Sequence, residues 1–174
     1  MSQRIPDRVD PWRLAEQGET LSGSLPLASM PRLAALLQDT DHDVAFTLRF
    51  GRDRDRRSTV KLDVQASLVL ECQRCLDSMT LEVDAETPMA LVNGPVEAEQ
   101  LPGELDPLML APEAYLDIAE LIEDELLLAI PASPRHAHDD CIHPREQGAA
   151  EPAGNEQENP FAILAQLKEG GNHN

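Results

Sequence analysis

Aromatic side chains are scarce in this chain: Trp12, Tyr115, Phe46, Phe50 and Phe161 are the whole supply, 3% of 174 residues. A core must therefore be built from Leu, Val, Ile and Ala, and the stacking platforms that hold single-stranded bases are hard to assemble. Positive charge is scarce too, with 14 Lys and Arg against 32 Asp and Glu and a formal net charge of -18. That balance lacks the broad basic footprint by which most nucleic-acid binders neutralise phosphates. No run approaches the roughly 20 apolar residues of a membrane span, and the N-terminal MSQRIPDRVD lacks the apolar centre of a signal peptide. A cytoplasmic protein with no membrane partner is expected. Three cysteines, an odd number, make an awkward framework for a disulfide-stapled secreted domain. There is no Gly-rich phosphate loop, no Gly-x-Ser-x-Gly elbow and no His-Glu-x-x-His helix, and His42, between Asp41 and Asp43, has no nucleophile near it in sequence. The expectation is a protein that binds and is not an enzyme.

The charge that is present is unevenly spread. Residues 1–75 hold 11 basic and 11 acidic side chains, whereas residues 76–174 hold 3 basic and 21 acidic ones. Within the neutral part, Arg49, Arg52, Arg54, Arg56, Arg57 and Lys61 fall in thirteen residues, opposed locally only by Asp53 and Asp55. This is the one segment where an anion such as RNA could dock; the alternative is a solvated hairpin loop.

Hydrophobic periodicity organises the rest. Asp10 and Pro11 suit an N-cap and first helical position, predicting a helix over 11–17 with Trp12 and Leu14 inward, ended by Gly18. Residues 19–27 alternate weakly, as in a strand, and Ser29 with Pro31 opens a second short helix through Leu33, Leu36 and Leu37. Period-two alternation then predicts strands over 44–51, 59–72 and 79–92, with Val60, Leu62, Val64, Ala66, Leu68, Leu70 and Cys72 forming the strongest apolar face. Residues 93–106 read as a loop before a short segment at 108–110. Asp117 and Glu120 form a capping box that opens a helix ending at Pro131, with the acidic run Glu120, Glu123, Asp124 and Glu125 expected on its solvated face. The fold class is α+β: an antiparallel β meander or partly closed barrel, short helices packed at its ends, and a flexible C-terminal tail. Residues 1–131 would form the single domain and 132–158 a polar, acidic, flexible segment. Residues 159–168 would form an amphipathic helix with Phe161, Ile163, Leu164 and Leu167 as docking anchors for a partner.

Cys72-Gln73-Arg74-Cys75 at a hairpin tip has the form of a zinc knuckle, in which two thiolates on a tight turn approach one metal. Two ligands do not close a site. Cys141 is a natural third, and His136, His138 or His143 a fourth, although 65 residues separate the halves. Zinc is thus a candidate cofactor, set against reduced thiols packed at the turn without metal. A thioredoxin-type redox role is disfavoured, because there the motif opens a helix, whereas here a strand resumes after it.

Three segments together, Leu68–Leu76, Asp117–Pro131 and Asn159–Lys168, resemble the YceD family of large ribosomal RNA subunit accumulation proteins. The resemblance implies a small cytoplasmic, non-enzymatic factor that supports the synthesis, processing or stability of 23S ribosomal RNA. It implies partners of two kinds: ribosomal RNA, met directly or through proteins, and basic ribosomal proteins or RNA-processing enzymes. The rival is a small zinc-binding or thiol redox protein using Cys72 and Cys75. Some relatives carry two cysteine pairs that resemble a complete zinc site, whereas this chain has only Cys141 downstream of the acidic helix.

Overall fold

The structure, a computed structural model, describes residues 6–137 and Cys141. The chain enters through β1 (Arg8–Val9) and turns into α1 (Pro11–Gln17), whose N-terminus is capped by the Asp10 side chain accepting from the Arg13 N–H at 3.0 Å. Gly18 ends α1 in the left-handed region (φ 67), a conformation that costs a residue without a Cβ nothing. Pro11 and Ala15 are its buried residues, while Trp12 and Leu14 are half-buried.

Next come β2 (Thr20–Pro26), a 3-10 turn at Leu27–Ser29, and α2 (Pro31–Ala34), which is shorter than the helix through Leu37 that the sequence suggested. β3 (Asp43–Arg52) buries Val44, Phe46, Leu48 and Phe50, and β4 (Ser58–Glu71) buries Val60, Leu62, Val64, Ala66, Leu68 and Leu70. β5 (Ser78–Val92) follows, then α3 (Pro95–Ala98), a single helical turn within the expected loop. β6 (Asp106–Met109), β7 (Leu116–Asp117) and α4 (Ile118–Ala129) complete the described part.

The sheet order is β2-β3-β4-β5-β6. The first four strands are the antiparallel meander that the alternation required, with Leu48 opposite Leu62 and Leu68 opposite Leu81. β6 departs from it and lies parallel to β5, Leu91 opposite Leu108, so the sheet is mixed and remains open. A parallel neighbour needs a crossover rather than a tight turn, and the segment containing α3 supplies it. β1 and β7 pair separately as a two-residue antiparallel ladder.

One face of the sheet is covered and the other is wet. The buried residues of β3 and β4 pack with Leu27, Met30, Leu33, Ile118, Ile122 and Leu126 in one apolar cluster, almost wholly aliphatic as the composition demands. Thr47, Arg49, Lys61, Asp63, Gln65 and Glu86 occupy the other face, where Arg49 pairs with Asp63 and Lys61 with Glu86. Among the described residues no helix is long and apolar enough to cross a membrane.

Candidate functional site

The turn between β4 and β5 bends sharply, with the Cys72 N–H donating to the Asp77 carbonyl at 2.9 Å, the Leu76 N–H to the Cys72 carbonyl at 2.9 Å, and Leu76 at φ 66. It places the two buried cysteines of Cys72-x-x-Cys75 side by side. The chain following α4 returns to this turn, where the Gln73 N–H donates to the Pro134 carbonyl at 2.8 Å. That return brings His136 and Cys141 against the pair. Cys72 Sγ lies 3.7 Å from Cys141 Sγ and Cys75 Sγ lies 3.4 Å from His136 Nδ1. The four ligand atoms all fall within 4.8 Å of one another, a Cys3His group that could hold a metal ion. Of the three histidines named from sequence, His136 is the one so placed; His138 and His143 lie outside the described residues.

The surroundings favour negative charge on Cys72 and oppose it on Cys75. Burial opposes ionisation of Cys72, but the backbone N–H groups of Cys75, His136 and Arg74 outweigh it and bring the thiol down to about 5. The Asp77 N–H favours the Cys75 thiolate, yet burial and the neighbouring sulfurs of Cys72 and Cys141 push that thiol up to about 11. Arg74, a residue that sequence reasoning passed over, sets its Nε 2.7 Å from Cys141 Sγ, and this contact holds the guanidinium above its ordinary pKa. Its position between the two cysteines was the available signal. The motif joins two strands and opens no helix, as the alternation suggested.

At the opposite end of β4, the six basic residues proposed as an RNA contact turn out to be unequal. Arg52 pairs with Glu16 at 3.0 Å, and Arg57 with Asp53 at 2.9 Å and Asp55 at 3.0 Å. Arg49 and Lys61 are held by Asp63 and Glu86 from adjoining strands, acids that a count along the local sequence misses. Arg54 and Arg56 are exposed and carry no ion pair among the described residues. Asp53 fixes the turn: its side chain accepts the Arg57 N–H at 2.8 Å, and Arg56 takes a positive φ of 64. Burial of Asp53 is outweighed by its Arg57 partners, so its carboxyl sits below the ordinary range. A cavity of about 350 Å³ next to this turn is lined by Trp12, Arg56, Asn93 and Gln100, among others.

The family model described as Large ribosomal RNA subunit accumulation protein YceD matches residues 60–168. The chain belongs to the YceD family. A curated YceD relative of the same description, from Haemophilus influenzae, is 30% identical over 169 residues, covering 95% of this chain and 97% of its own length. No solved structure matches. The matched YceD segment takes in Lys61, Cys72, Cys75, His136 and Cys141 and begins after Arg49–Arg57. Phe161, Ile163, Leu164 and Leu167, expected from sequence as docking anchors, lie outside the described residues.

The YceD match also spans the acidic helix, where one expectation fails. Glu123 is not on a solvated face of α4: it is 4% exposed. Its Oε1 accepts the Arg32 N–H at 2.7 Å and the Leu33 N–H at 3.1 Å, and its Oε2 meets the Arg32 guanidinium at 2.7 Å. α2 has no side-chain cap of its own, so a carboxylate from α4 caps it from 90 residues away. Helical spacing alone does not show that a second helix end will stand opposite one acid of the run.

Proposed function

We propose that this chain acts in the cytoplasm as a non-enzymatic ribosome-biogenesis factor supporting the synthesis, processing or stability of 23S ribosomal RNA. The observation that carries this reading is the family membership, since the relative aligned over 95% of the chain bears the name of a large ribosomal RNA subunit accumulation protein. In this reading Arg54 and Arg56, at the tip of the β3–β4 turn, meet phosphates, with Arg49, Arg52, Arg57 and Lys61 flanking them. The acidic remainder, which accounts for the formal charge of -18, suits basic ribosomal proteins or RNA-processing enzymes.

The test is a strain lacking the chain, scored for the ratio of 23S to 16S ribosomal RNA. Loss of the chain should lower the ratio. The wild-type gene should restore it, and Arg54→Gln with Arg56→Gln should restore it only in part. An unchanged ratio in the deletion strain would refute the role. Full rescue by the double variant would remove the basic turn from it.

A further inference from the structure

We propose that Cys72, Cys75, His136 and Cys141 bind one zinc ion in a closed structural site, tying the chain after α4 to the β4–β5 turn. The inference goes beyond the ribosomal reading and stands independently of it. Its first support is metric. With Zn–S about 2.3 Å and Zn–N about 2.0–2.1 Å, the edges of a tetrahedron are about 3.8 Å between sulfurs and about 3.5 Å between sulfur and nitrogen. Two of the six separations fit these edges, 3.7 Å for Cys72 to Cys141 and 3.4 Å for Cys75 to His136, and all six lie within 4.8 Å. A Cys72–Cys141 disulfide would need its sulfurs at about 2.05 Å, so the two thiols are free, at a spacing that ligands around one ion can also take.

The second support is the histidine tautomer. His136 Nε2 lies 3.0 Å from the Ser78 carbonyl oxygen, which can only accept, so that nitrogen carries the proton. Nδ1 is then left with its lone pair on the side of the cysteines. Metal-bound imidazoles are oriented in this way, with the second ring nitrogen donating to a carbonyl or carboxylate.

The third support is charge. Three thiolates around a divalent cation leave one net negative charge in a largely buried site, and the guanidinium of Arg74, with Nε 2.7 Å from Cys141 Sγ, balances it. Arg74 Nη2 is shielded from solvent and has no hydrogen-bond partner among the described residues. The donor set selects the ion: soft sulfur with imidazole and no carboxylate disfavours magnesium and calcium. Four protein ligands with no open position mark a structural rather than a catalytic site.

The experiment uses the full chain purified without chelator, its metal content measured by mass spectrometry and its affinity by competition with a chromophoric zinc chelator. One zinc per chain is expected. Cys141→Ser and His136→Ala should lose it to the chelator readily, while His138→Ala should behave as wild type. Arg74→Gln, which keeps all four ligands, should weaken binding by roughly 10- to 100-fold. Where a ligand variant fails to fold, cobalt substitution of the wild type decides instead, because sulfur-to-cobalt charge-transfer bands report the number of thiolates bound. Folded, metal-free protein with three titratable thiols and no zinc uptake on addition would overturn the proposal. So would iron in place of zinc, or wild-type affinity in both Cys141→Ser and His136→Ala.

Discussion

Replacing Glu123 probes how the α4 layer is fastened to α2, and its size can be worked from the contacts. Glu123→Ala removes the acceptor for two backbone N–H groups, those of Arg32 and the fully buried Leu33. Loss of a helix N-cap costs about 1 kcal/mol, and stranding a buried donor costs about 1–3 kcal/mol. Arg32 keeps its own access to water, its side chain being 50% exposed, so its share of the ion pair adds little. The expected loss is therefore about 3 kcal/mol for Ala and about 1 kcal/mol for Gln, whose amide oxygen can still accept one or both N–H groups. For a domain of this size that is a fall in Tm of roughly 10 °C for Ala and 3–4 °C for Gln.

The pH dependence has a definite sign. Burial opposes ionisation of Glu123, but the Leu33 and Arg32 donors outweigh it and lower its carboxyl below the ordinary value. A depressed carboxylate stabilises the fold above its unfolded pKa, and that contribution is lost as the pH falls through the folded pKa. The gap between wild type and Glu123→Gln should therefore be widest near neutrality and close in acid. Urea denaturation followed by far-ultraviolet circular dichroism at several pH values reads both quantities. A loss below about 1 kcal/mol for Ala, under the floor set by the stranded donor, would refute the capping role. So would a wild-type-to-Gln gap that persists unchanged into acid.

Three further outcomes are expected. In filter binding to ribosomal RNA fragments across a salt series, Arg54→Gln with Arg56→Gln should reduce the salt slope by about 1.5, whereas Arg49→Gln with Lys61→Gln should change it less, since those charges already face acids. Leu68→Ala, at a fully buried position opposite Leu81, should cost about 2–5 kcal/mol in equilibrium unfolding, and a cost near zero would mean that the sheet face is not packed as described. Removing residues 155–174, which include Phe161, Ile163, Leu164 and Leu167, should leave Tm nearly unchanged and reduce recovery of ribosomal partners in a pull-down; a large fall in Tm would instead place that segment in the core.

What could be read from sequence was what is local. A sheet with one covered face imprints a period of two, so β3 and β4 were legible through Val44 to Phe50 and Val60 to Leu70. The caps at Asp10 and Asp117 were legible because both receptor and donor lie within one turn, Asp10 with Arg13 and Asp117 with Glu120. The parallel seat of β6 and the two-residue β1–β7 pairing were not, because such short ladders owe their existence to the elements packed around them. The same division runs through the site. The Cys72–Cys75 turn announces itself by spacing, and Cys141 was a fair partner by chemistry. The choice of His136 rests on where the segment after α4 lands, which the Gln73–Pro134 bond fixes and no periodicity encodes. The pairing of Lys61 with Glu86 and of Arg52 with Glu16 was hidden for the same reason.

β4 runs without interruption from the basic turn to the cysteine turn. Fourteen residues, Ser58–Glu71, at about 3.3 Å each place the two ends roughly 45 Å apart. The strand therefore works as a strut, and one small ligand cannot bridge both ends. A partner that met Arg54 and Arg56 would therefore stand roughly 45 Å from any group held near Cys72 and Cys75. Substitutions at the two ends should then combine additively, within about 0.3–0.5 kcal/mol, in any binding measurement on an assembly that reaches only one of them. A departure from additivity would appear only with a partner long enough to span the strut.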